Sequence, residues 1–241
     1  GEIAATYERI RVSRQGGATT KLVSLADARA NRVPIDWSSY SAVPPSFTGV
    51  REIDDIKLQT LRDYIDWTPF FRAWDLVGSY PKILQDQTVG KAARSLHNDG
   101  LEMLEEIIAG QVLEARAVVG FWPAAAVGDD IEVDLAAGGG TGGLVRLHTL
   151  RQQVAHNDDR PNFALADFIA PAEAGVPDHI GAFVVSTGAG VDELSARYEA
   201  DHDDYHSILA KALADRLAEA AAEWVHREAR RAWGIDTELG R

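Results

Sequence analysis

Residues 115–134 read ARAVVGFWPAAAVGDDIEVD, and their reading decides the class of fold. Residues 115–122 (ARAVVGFW) and 130–134 (DIEVD) read as strands, rich in β-branched and aromatic positions or alternating apolar with acidic. Working outward, 144–149 (LVRLHT) reads as a third strand. Residues 164–169 (ALADFI) and 179–187 (HIGAFVVST) follow as further strands bounded by turn signals. On the N-terminal side, Thr88 to Ala109 carries Ala92, Leu96, Leu101, Leu104 and Ile108 on one stripe, with Gly110 at its end, and reads as a helix. On the C-terminal side, Val191 to Trp233 is rich in Ala, Leu and Glu and almost free of breakers, so it reads as one or two long helices. Helices, then strands, then helices, with no regular βαβ alternation, predict an α+β fold on a mostly antiparallel sheet and argue against a Rossmann or barrel fold. No internal repeat at a fixed period is present.

The remaining N-terminal part is less regular. Ile3, Tyr7, Ile10 and Arg11 lie at roughly helical spacing before Gly16-Gly17 breaks the pattern. Residues 24–32 (SLADARANR) read as a short helix capped by Ser24. Pro34, Pro44 and Pro45 punctuate an irregular surface segment. Ile53, Ile56, Leu58 and Leu61 form a weak helical stripe over 51–62. Residues 63–74 (DYIDWTPFFRAW) follow, with five aromatics in twelve residues and no simple period. The expected organisation is a lead-in over 1–32 and one domain over 33–241.

Composition narrows the class of function. The 241 residues are 46% hydrophobic and 25% charged, as globular chains are. A formal charge of −13 repels phosphate backbones and speaks against a nucleic-acid partner. Cysteine is absent, which excludes disulfides, a thiol nucleophile, Cys-ligated metals and iron–sulfur clusters. No apolar run approaches the roughly 18 residues of a membrane span, and the N-terminus lacks a signal-peptide core. A cytoplasmic protein with no membrane partner is the expectation. The chain begins at Gly1, and Met103 is its only methionine, so it reads as processed or as part of something longer.

Several constellations compete for a functional role. His202-Asp-Asp-Tyr-His206 sets two imidazoles at i and i+4, as in zinc proteases, but the position of the catalytic Glu holds Asp203. At about 100° per residue both histidines fall near the stripe Leu209, Leu213, Leu217, Ala220 and Trp224. Hydrogen-bonded histidines at a packed or docking face are therefore preferred to a metal site. GGGTGG at 138–143 lacks the Lys and the helix of a phosphate loop and reads as a hairpin connection. Glu219 and Glu223, one turn apart, read as solvated charges. Asp66 sits among Tyr64, Trp67, Phe70 and Phe71, a poor place for a carboxylate without a partner or a ligand. No G-x-S-x-G or spaced triad nominates a nucleophile.

Together these stretches resemble one family. LRDYIDWTPFFRAWDLVGSYPKIL (61–84) is similar to the opening motif of the activation domain of cobalamin-dependent methionine synthase. VVGFWPAAAVGDDIEV (118–133), LRQQ (150–153), LADFIAP (165–171), IGAFVVSTG (180–188), EADHDDYHSILAKALADRLAEAAAEW (199–224) and WGI (233–235) match in the same order. The resemblance implies a C-shaped α+β unit on a curved antiparallel sheet, belonging to a methyltransferase. That enzyme moves a methyl group from methyltetrahydrofolate to homocysteine through cobalamin. The activation domain is expected to bind S-adenosylmethionine, dock on the cobalamin-binding domain and support reductive methylation of cob(II)alamin. The electron comes from a flavodoxin-type reductase.

Residue by residue, the resemblance places Asp66 and Glu219 against S-adenosylmethionine and Asp215 near the docked cobalamin domain. Carboxylates suit the ammonium of that ligand, and aromatic faces suit its sulfonium. Cobalamin and zinc are expected on other modules of the enzyme. Family members continue into an R-P-x-x-G-Y segment, whereas this chain stops at Arg241. The expectation is an incomplete ligand site, weak or no binding, and a fragment inactive alone. Two alternatives are a docking-only module that does not bind S-adenosylmethionine and a metallohydrolase built on His202 and His206.

Overall fold

The computed structural model describes residues 2–15 and 21–235. Gly1, the Gly16-Gly17 break and residues 236–241 at the chain end lie outside the described residues. The helices are α1 (Glu2–Gln15), α2 (Leu25–Ala30), α3 (Leu58–Leu61), α4 (Trp67–Ala73), α5 (Gly90–Gly110), α6 (Val191–Ala200) and α7 (Asp204–Ala232). The strands are β1 (Gly49–Ile56), β2 (Glu114–Val127), β3 (Asp130–Asp134), β4 (Leu144–His148) and β5 (Asp178–Ala189). β1 with β2, β2 with β3, and β3 with β4 pair antiparallel, and β5 also pairs β2. The class is α+β, as expected from the order of elements.

Two sequence expectations are corrected. The helical stripe over 51–62 is strand β1 followed by the single turn α3. Ile53 lies opposite Ala117 and Ile56 opposite Ala115, so β1 spends three steps where β2 spends two. This bulge turns Ile53 and Ile56 to the same side, and a spacing of three then mimics a helix. Second, 164–169 is not a strand but a 3-10 turn, Leu165–Phe168. Alternating burial of Ala164 and Ala166 imitates a strand, but the turn is wound around the Asp167 carboxylate, which accepts from the Ala164 amide at 3.0 Å.

The chain divides into two compact units. One contains Gly1–Ala42, Ala124–Asp134 and Gly143–Asp178. Its apolar centre is built of small side chains, Ala28, Ala126, Ala164, Ala166 and Ala170, with Ile131 and Val133 from β3. Inside it lies Arg151 of the LRQQ stretch, whose side chain is 1% exposed. Its guanidinium donates to Asp129 (2.8 Å), to both oxygens of Asp167 (2.6 and 2.8 Å) and to the Asn162 carbonyl (2.7 Å). Asp129 also accepts from Arg29 at 2.8 Å. A core this poor in large apolar groups is ordered by a satisfied buried charge network.

The other unit contains Val43–Pro123, Leu135–Gly142 and His179–Arg241. Its core is large and apolar. Leu61, Phe70 and Phe71 pack with Leu104 and Ile107 of α5 and with Leu209, Leu213, Leu217 and Val225 of α7, against Ala115, Ala117, Val119 and Phe121 of β2. The stripe that makes α7 amphipathic is the face it buries. The GGGTGG stretch joins β3 to β4, as the hairpin reading expects. Gly49 (φ 87°) approaches it so closely that a Cβ there would lie 2.1 Å from the Gly138 carbonyl oxygen.

Candidate functional site

Asp66 closes the approach to α4 as its N-cap. Its Oδ1 accepts from the Thr68 amide at 2.9 Å, satisfying one of the orphan N–H groups of the first turn. The side chains after it are anchors. Trp67 meets Phe70 edge-on at 5.1 Å and His97 at 4.7 Å, and Phe71 stacks with Tyr80 at 6.4 Å. The aromatics of 63–74 therefore point into the core, whereas Asp66 is exposed. The clash inferred between this carboxylate and its aromatic neighbours is resolved by direction, since helix geometry turns the cap outward and the anchors inward.

His97 has a buried Nε2 without a hydrogen-bond partner among the described residues, and burial pulls its pKa below the usual 6.5. Trp67, Phe71 and Tyr80 surround the ring, so its neutral form is an aromatic packing element.

Asp215 and Glu219 lie on α7, one turn apart, both exposed. The structure joins them through Arg216, which the sequence reading missed. Its guanidinium donates to Glu219 Oε2 at 2.8 Å and Oε1 at 3.0 Å, and to Asp215 Oδ2 at 2.5 Å. The Arg216 side chain is 8% exposed, against 69% for Asp215 and 61% for Glu219. Burial lowers the Arg216 pKa, but the hydrogen bonds and charges of Asp215 and Glu219 outweigh it and raise the value overall. The available signal was the D-R-x-x-E spacing, which sets Arg and Glu at i and i+3 on one helix face. The turn Arg62–Tyr64 and α4, which flank Asp66, both pack against α7, and Arg227 of α7 donates to the Tyr64 hydroxyl at 2.6 Å.

The paired histidines do not share a helix face. His202 (φ 56°) lies in the break between α6 and α7, and Asp203 caps α7. His206 sits in the first turn of α7, its Nδ1 2.7 Å from Asp203 Oδ2 and its ring stacked on Tyr198. The left-handed residue at 202 turns the i, i+4 spacing away from a common face. Among the described residues no group of three His, Asp or Glu side chains is arranged to hold a metal, and no helix is long and apolar enough to cross a membrane. A cleft of about 280 Å³ opens between α5 and α6, lined by Met103, Ile107, Leu194, Glu106, Arg197 and Asp201.

Comparison with known proteins places this geometry. Residues 57–239 match the family model of the vitamin B12-dependent methionine synthase activation domain. A crystal structure of the MetH reactivation domain bound to AdoHcy is 44% identical, with a TM-score of 0.82, covering 92% of this chain and 68% of that one. A match of this length and identity carries the family as well as the fold: the chain belongs to the activation domains of vitamin B12-dependent methionine synthase.

Proposed function

We propose that the chain serves its methionine synthase as a reactivation module that binds S-adenosylmethionine and docks on the cobalamin-binding domain. There it supports reductive methylation of cob(II)alamin with an electron from a flavodoxin-type reductase. The activation domain is read as 33–241, with 1–32 as its lead-in. One observation carries the ligand assignment. The relative that is 44% identical over 92% of this chain is described as bound to AdoHcy, the demethylated form of S-adenosylmethionine.

The residues present fit such a ligand. Asp66 uses only Oδ1 on its helix, which leaves Oδ2 for an ammonium group. Glu219 and Asp215 present exposed carboxylate edges beyond the Arg216 fork. The group, when bound, supplies the methyl; the chain's residues hold its cationic end. Asp66 is assigned to the ammonium, Glu219 to the same ligand, and Asp215 to the docked cobalamin domain. Cobalamin and zinc belong to other modules in this reading.

The test is calorimetric titration of S-adenosylmethionine and AdoHcy into the intact synthase carrying Asp66→Asn or Glu219→Gln. Charge-assisted hydrogen bonds contribute about 1.5–3 kcal/mol. Each change is therefore expected to weaken binding about tenfold or more. Unchanged affinity in Asp66→Asn removes Asp66 from the site. Absence of binding in the unmodified enzyme leaves a docking-only module.

A further inference from the structure

We infer that Arg216 is a positioning residue, which holds Glu219 in the arrangement that receives the cationic end of the ligand and ties it to Asp215. The inference rests on the proposed ligand role of Glu219. Its own support is geometric. Arg216 takes both oxygens of Glu219 and one of Asp215, so a single planar fork orients two carboxylates from successive turns of α7. The fork is buried and its partners are not, at 8% against 61% and 69% exposure. Neighbouring positions on the helix, Leu213 and Leu217, are fully buried, so the guanidinium is seated at the edge of a rigid core. An exposed glutamate is otherwise free to sample many rotamers, and a ligand must order it on binding. Here the ordering is done in advance.

Stability alone gives little reason for the arrangement. Both carboxylates are exposed, so solvent screens the pairs and their contribution to stability is small. The fork also sets the local charge: two carboxylates and one guanidinium leave −1 at the site.

The intact synthase tests this in three variants, Glu219→Gln, Arg216→Lys and their combination, read by AdoHcy calorimetry and by urea midpoint. Lysine keeps the charge and loses the bidentate fork. Arg216→Lys is expected to weaken AdoHcy binding about fivefold or more. Adding it to Glu219→Gln is expected to weaken binding no further, because one acts through the other. Additive losses, or an Arg216→Lys enzyme that binds as the unmodified one does, overturn the positioning role. An unchanged affinity in Glu219→Gln overturns the ligand reading instead, so the two failures are distinct. If Arg216→Lys does not fold, Glu219→Asp carries the test from the surface. Its shorter arm keeps the charge but cannot reach fork and ligand together, so binding is expected to fall as in Glu219→Gln. Full affinity in Glu219→Asp overturns the inference.

Discussion

Arg151 and Asp167 meet fork to fork, at 2.6 and 2.8 Å, with 1% and 4% of their side chains exposed. Breaking a buried pair from one side leaves an uncompensated charge and costs about 3–5 kcal/mol. Asp129 still holds Arg151 when Asp167 is lost. Asp167→Ala is therefore expected to cost about 3 kcal/mol in urea unfolding. A loss below about 1 kcal/mol would show that the network contributes little to this alanine-rich core.

The same carboxylates set the acid limit. Burial pushes Asp167 up, but hydrogen bonds from Arg151 and the Ala164 amide outweigh it and hold the group below its usual 3.8. Asp129 is likewise pushed up by burial and held low overall by Arg29 and Arg151. A carboxyl depressed in the fold contributes stability that is present above its unfolded pKa and lost as pH falls through its folded value. Unfolding free energy is expected to fall steeply below about pH 4. Asp167→Asn should flatten that slope.

His97 acts in a higher window. Its folded pKa is depressed by burial, so the unfolded chain takes the proton first. Stability is full above about pH 6.5, declines as pH drops toward the folded value, and is then level. His97→Phe, which preserves an aromatic ring among Trp67, Phe71 and Tyr80, is expected to reduce the change in melting temperature between pH 7.5 and 5.5. An identical pH profile would assign the slope to another histidine.

Gly190, just before α6, has φ 95°, and a Cβ there would lie 2.1 Å from the Val112 carbonyl oxygen. Backbone strain and overlap add, so Gly190→Ala is expected to cost about 3 kcal/mol or more. Gly128 (φ 65°) has open space at the same position, and Gly128→Ala should cost only about 1 kcal/mol. Equal losses in urea unfolding would mean that the close approach does not matter.

Asp66 combines a cap with a charge, and the two separate cleanly. Asn caps a helix as well as Asp does, whereas Ala costs about 1 kcal/mol. Asp66→Asn should keep the urea midpoint and lose ligand affinity; Asp66→Ala should lose both. A midpoint shift in Asp66→Asn as large as in Asp66→Ala would tie the residue to stability alone.

Local chemistry was legible wherever neighbours in the chain suffice. Ser24 caps α2, residues 130–134 are β3, and 179–187 lie within β5. The Thr88–Ala109 stripe became α5, although its left-handed cap falls on Gln111 rather than Gly110. The aromatic density of 63–74 was visible in the chain, but no period in it showed that Trp67, Phe70 and Phe71 anchor α4 in the core. Tertiary structure alone decided that Ile53 and Ile56 belong to a bulged strand, because the bulge exists only against Ala117 and Ala115 of β2. It decided that Asp167 winds a turn, because that carboxylate is held by Arg151, 16 residues away in the chain. It also decided that Arg216 is buried while its acidic partners remain in water. Periodicity reports which side chains share a face of an isolated element. Strand pairing and the burial of charge depend on groups far along the chain, so no local spacing encodes them.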